Sequence, residues 1–158
     1  MTILLLAYDR LIWRWPLIRG LTPRPVLYGT WKAELRTSFA PRANEIVECY
    51  LTIRQTYSSI QVDMVFEHSR SFSLSAALAE QDGRVQLSYT YRSQGDALHQ
   101  DGNPPSRGAA VLIIAREPSL HLEGDYWMER GTKGTIRTLG HNPTLLESFT
   151  AARGARFS

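Results

Sequence analysis

Cysteine is nearly missing from this chain: Cys49 stands alone among 158 residues. An intramolecular disulfide is therefore excluded, and a reducing compartment fits best. Val47, Leu51 and Ile53 share its face at strand spacing, which predicts a buried structural thiol. Lysine is almost as scarce. Lys32 and Lys133 are the only two, so arginine carries the net charge of +3. Such an excess points to an anionic partner only where guanidinium groups cluster. No apolar run approaches the roughly 20 residues of a membrane-spanning helix. Catalytic signatures are missing too. There is no Gly-x-Ser-x-Gly elbow, and His68, His99, His121 and His141 have no spacing that sets two ligands on one strand face. His121 and Glu123 share an outward face, which a surface pair explains. Gly131-Thr132-Lys133-Gly134-Thr135 lacks phosphate-loop spacing and reads as a hairpin turn. The expectation is a protein that is not an enzyme, with no cofactor and no metal site.

What is present suits strands. Apolar residues make up 43%, charged residues 21%, and there are seven Tyr, five Phe and four Trp. The length fits one domain with its own core. Residues 1–25 open with an apolar run and then Trp13, Arg14, Trp15 and Arg19. Leu4, Leu5, Tyr8, Leu11, Ile12 and Trp15 fall on one helical face that Pro16 ends, predicting a short amphipathic helix. It suits a membrane interface or a helix packed on the domain equally well.

From residue 26 the helical period gives way to alternation. Eight strands are predicted: Leu27–Phe39, Glu45–Arg54, Ser58–Glu67, Ser71–Ala79, Arg84–Arg92, Gly108–Ala115, Leu120–Met128 and Thr132–Leu139. The fourth sets Phe72, Leu74, Ala76 and Leu78 against a ladder of Ser71, Ser73 and Ser75. Sequential hairpins close most simply into an all-β, eight-stranded, antiparallel up-and-down barrel. Such a barrel is filled by side chains or holds one small ligand. Asn142 as N-cap, Pro143 and a stop at Gly154 predict a short C-terminal helix over a barrel end within residues 141–158. The domain reading is thus 1–25, 26–140 and 141–158.

In an up-and-down barrel the turns after strands one, three, five and seven share one mouth. That mouth receives Arg70, Arg92, Arg107 and Arg130. It also receives Tyr89, Tyr91 and Tyr126, with Ser71, Ser73, Thr132 and the long loop Ser93–Ser106. Arginines pair with phosphates and tyrosine faces stack on bases, so these ten residues form the candidate site for a cyclic ligand carrying both. The opposite mouth holds Arg54, Arg84 and Arg116 near Tyr57. Solvated strand-end arginines over a tyrosine-rich core account for the same composition.

The order of motifs adds a resemblance. Gly29-Thr30-Trp31, Arg54-Gln55-Thr56-Tyr57, the serine ladder, Tyr89-Thr90-Tyr91, Gly108 before Ala110–Ile114, Gly124-Asp125-Tyr126 and Arg130-Gly131-Thr132-Lys133-Gly134 occur in turn. Over about Val26 to Leu139 the chain resembles the β-strand-rich domain of the two-transmembrane effectors of bacterial cyclic-oligonucleotide antiphage signalling (CBASS). The resemblance implies a minimal lipocalin-like barrel that binds a cyclic dinucleotide and no DNA or RNA polymer. It further implies homo-oligomerisation on activation, and spanning helices that disrupt the bacterial inner membrane and kill the infected cell, with the barrel in the cytoplasm. Two departures stand out. The spanning helices are missing, as in a truncated form or a naturally soluble relative, so this chain by itself is expected to be soluble. Arg107 stands where a histidine is expected. Ligand could activate or restrain such an effector. The competing readings are a lipocalin-like carrier of a small apolar ligand and an interaction module docked through the N-terminal segment.

Overall fold

Alternation with period two builds a closed antiparallel barrel of eight strands in sequence order. The computed structural model describes residues 5, 8–10, 12–15, 24–43 and 45–158. The strands are β1 (Gly29–Thr37), β2 (Ile46–Gln55), β3 (Ile60–Val65), β4 (Ser69–Gln81), β5 (Arg84–Gly95), β6 (Ser106–Ala115), β7 (His121–Met128) and β8 (Lys133–Asn142). β8 closes on β1. The number, order and closure of the strands agree with the expectation, and their ends move by a few residues. Leu51, Leu87, Leu112 and Leu122 point inward and are completely buried. Each contributes about 1.5–3 kcal/mol by leaving water. The β4–β5 hairpin turns on Asp82 (φ 52°) and Gly83 (φ 72°). Two successive positive φ angles give the type I′ twist that matches flanking strands, which is why Asp-Gly stands there.

The barrel has one plugged end. The Gln55 side chain accepts from Leu27 N at 2.7 Å and donates to the Pro25 carbonyl at 2.9 Å. Trp31 Nε1 donates to the Leu27 carbonyl at 2.8 Å, and its ring lies 4.3 Å from that of His141. The chain entering β1 therefore lies across the end where β2 finishes. Arg54 is not free to serve a mouth there, being paired with Asp63 and Glu147.

Three expectations need correction. In β4, pairing slips between Ser73 and Ser75. Ser71 and Ser73 face in, opposite Ser93 and Tyr91, so Phe72 and Leu74 face out, Leu74 57% exposed, and the bulge then turns Ala76 and Leu78 inward. The three serines are thus split between faces, and Ser75 meets Thr90 outside at 2.8 Å. In the tail, Asn142 ends β8 instead of capping a helix, because it pairs with Thr30. The helix α1 is Phe149–Arg153, capped by Ser148, whose oxygen accepts from Ala151 N at 3.1 Å. Gly154 does stop it. The tail covers the outer wall of β1 and β2 and not a barrel end: Thr30 and Thr52 hydroxyls donate to the Thr144 and Leu146 carbonyls at 2.8 Å each. Phe149 and Phe157 pack on Tyr50 with ring centroids 5.5 and 5.6 Å away.

At the N-terminus, Leu4, Leu11 and Pro16 of the expected helical face lie outside the described residues. Of the rest, Leu5 and Trp15 are exposed. The completely buried residue is Trp13, which was not on that face. Ile12–Arg14 is a 3-10 turn. Tyr57 N donates to the Asp9 carbonyl at 2.8 Å, and Tyr8, Trp13 and Arg24 surround the Tyr57 ring. The segment is thereby fastened beside the plugged end. Among the described residues no helix is long and apolar enough to cross a membrane.

Candidate functional site

The other end of the barrel is open, into a cavity of about 880 Å³. That volume suits a ligand of drug or dinucleotide size. Its inner wall is made by Met64, Ser71, Tyr89, Tyr91, Ser93 and Tyr126. Room is left because the residues facing these tyrosines are small. A Cβ on Gly108 would lie 2.5 Å from the Tyr91 ring, and one on Gly134 would lie 2.7 Å from Tyr126. Burial pushes the phenols of Tyr89, Tyr91 and Tyr126 up from their usual range, so they remain neutral donors. Tyr89 Oη is buried without a hydrogen-bond partner. Most buried polar groups do have one, and those that do not call for an explanation.

The rim is charged and partly apolar. Arg42, Arg130 and Arg153 line it with Glu45, Glu48 and Glu67. Two of these charges are already engaged. Glu48 accepts from the Tyr50 phenol and lies 3.8 Å from Lys32, and Arg130 donates to Asn103 Oδ1 at 2.8 Å. Phe39, Ile46 and Leu98 are exposed apolar members of the same rim. His68 and His99 complete it, with rings stacked 4.1 Å apart. Beside them, Asp96 accepts from the His99 ring at 2.6 Å and from His99 N at 3.0 Å. These bonds hold its carboxyl below the usual carboxylate range.

Six of the ten predicted residues line this cavity: Ser71, Tyr89, Tyr91, Tyr126, Arg130 and Thr132. Four do not. Arg92 sits opposite Arg107 and Phe72 on the outer face, since its neighbour Tyr91 faces in. Arg107 is exposed with it. Arg70 pairs with Val65 and Gln94 outside, bordering a groove of about 510 Å³. Ser73 is inward, but its oxygen accepts from Val62 N at 2.9 Å and so belongs to the β3–β4 seam.

Sequence reasoning missed Arg42, Arg153, His68 and His99. Arg42 follows β1, and the shared-mouth rule already placed that turn here. The same rule brings His68 and His99 together, whereas spacing along the chain does not. Nothing local marks Arg153, whose position depends on the path of the tail.

The family model described as "Cap15, cyclic dinucleotide receptor domain" matches residues 22–139. A curated relative, CD-NTase-associated protein 15 of Staphylococcus schleiferi, is 28% identical over 136 residues. The alignment covers 86% of this chain and 72% of that protein.

Proposed function

Because the chain belongs to the Cap15 family of cyclic dinucleotide receptor domains, we propose that its open barrel end binds one cyclic dinucleotide. Bases lie against Tyr89, Tyr91 and Tyr126, and phosphates meet Arg42, Arg130 and Arg153 at the rim. The observation that carries this reading is the open cavity walled by Tyr89, Tyr91 and Tyr126 and rimmed by Arg42, Arg130 and Arg153. An apolar ligand gains nothing from guanidinium groups at the mouth; phosphates pair with them. The role is binding without bond-breaking.

The barrel, residues 26–140, serves in this reading as the sensor of a membrane-disrupting antiphage effector that oligomerises and kills the infected cell. Residues 1–25 are its juxtamembrane side and 141–158 an outer cover. The attachment of the N-terminal segment beside the plugged end supports this arrangement, since it leaves the mouth free for a soluble ligand.

Calorimetry against cyclic dinucleotides of varied bases and linkages tests the ligand, with a fatty acid for comparison. One member binds once per barrel, with affinity that falls as salt rises because charge meets charge in a partly exposed mouth. If no member binds at low salt, or the fatty acid binds instead, the ligand class is wrong.

A further inference from the structure

We propose that His68, Asp96 and His99 form a divalent transition-metal site of the zinc class on the rim of the mouth. Donor atoms of all three residues lie within 4.8 Å of one another. His99 Nδ1 and His68 Nδ1 stand 2.6 and 3.5 Å from the two Asp96 oxygens. Ligands about 2.0–2.1 Å from one zinc ion sit roughly 3.3 Å apart, so these gaps bracket what an ion needs. Two imidazoles and one carboxylate suit zinc, cobalt, nickel or copper, and not calcium or magnesium.

The backbone holds the two turns together before any ion arrives, and the stacked imidazoles, with planes 21° apart, rotate about their side-chain bonds to aim both nitrogens at one ion. Asp96 N donates to the His68 carbonyl at 2.9 Å, joining the β5–β6 loop to the β3–β4 turn. His99 N donates to the Asp96 carbonyl at 3.1 Å, and Asn103 N to the His99 carbonyl at 3.0 Å. Both turns are therefore fixed where their side chains converge. With His68 Nδ1 on the metal, its Nε2 faces Glu67 at 4.0 Å. A carboxylate behind a ligating histidine orients the ring and strengthens its donor nitrogen. Three protein ligands leave a fourth position for water or an anion. Two segments far apart in sequence would then be tied across the mouth by one ion. The site needs no nucleotide, so it stands or falls apart from the reading above.

The test is zinc chloride titrated by calorimetry into the untagged, chelator-stripped chain, with cobalt(II) absorption as a second readout. One equivalent binds, the melting temperature rises, and cobalt gives the visible bands of a low-symmetry nitrogen–oxygen site. His68→Ala, Asp96→Asn and His99→Ala each weaken zinc binding by about tenfold or more. All three positions are exposed, so the variants fold. His121→Ala, at the separate His121–Glu123 pair, leaves binding unchanged. The proposal is overturned if zinc does not saturate a site, if binding survives all three substitutions, or if His121→Ala removes it.

Discussion

Tyr89 is buried, neutral and without a partner, although a hydroxyl in that position costs free energy in the unliganded protein. Phenylalanine at this place removes the desolvated oxygen and keeps the ring. Tyr89→Phe is therefore expected to raise unfolding stability by about 1 kcal/mol and to change cyclic dinucleotide affinity by less than about twofold, because the hydroxyl is closed off from the cavity. Thermal unfolding and calorimetry on the same variant check both outcomes. A loss of stability would give the hydroxyl a partner, and a loss of affinity would mean that the ligand reaches it. The arginines divide by face. Arg42→Ala and Arg130→Ala should weaken binding by about 1.5–3 kcal/mol each, the scale of hydrogen bonds to a charged group. Arg92→Ala should leave it unchanged, since Arg92 stands outside, across from Arg107. Equal losses in all three would mean that charge acts from a distance and not by contact. This division was legible in advance: if Tyr91 faces in, period two turns Arg92 out. Counting arginines by turn ignored that parity.

Strand number and order followed from alternation and from turns such as Asp82-Gly83, because both are local. The β4 bulge was not legible. Phe72, Leu74, Ala76 and Leu78 alternate without a break in the sequence, yet the slip in pairing with β5 leaves Phe72 and Leu74 outside and turns Ala76 and Leu78 inward. The tail shows the same limit. Asn142-Pro143 is a strong helix-start signal, yet pairing of Asn142 with Thr30 keeps that residue in β8. At the level of elements, Gly134 is the tightest contact: a Cβ there would lie 1.8 Å from the Arg36 carbonyl oxygen. Backbone cannot yield as a side-chain tip can, so Gly134→Ala is expected to cost about 1–3 kcal/mol of stability. Denaturant unfolding measures it. The plug offers a second case. Gln55→Leu strands the Leu27 N–H and the Pro25 carbonyl in a buried place, for an expected loss of about 2–4 kcal/mol. A ligand at the other end should still bind to what remains folded.

The two ends of the barrel differ in build. One end is plugged and fastened to the N-terminal segment; the other is open, charged and apolar by turns. The outer wall carries Arg92, Arg107, Glu123, Asp125 and Arg137 as exposed side chains. A lipid-facing barrel presents an unbroken apolar band there, whereas this wall intersperses those charges with the exposed Leu74 and Trp127. In the proposed reading the membrane action comes from helices joined to the chain, and a helix needs about 20 apolar residues to cross. The N-terminal segment enters beside Tyr57 and the plug, so such helices would set the plugged end toward the bilayer and the mouth toward the cytosol. The expected outcome follows from that geometry. Cells expressing these 158 residues with a cyclic dinucleotide synthase keep intact membranes. Permeability to a DNA-binding dye appears only when two spanning helices are fused ahead of Tyr8, and Arg130→Ala in the fused form shifts the response. Dye entry with the 158-residue chain alone would make the N-terminal segment itself the lytic element. Dye entry from the fused form that ignores both the synthase and Arg130→Ala would detach membrane disruption from the barrel's ligand.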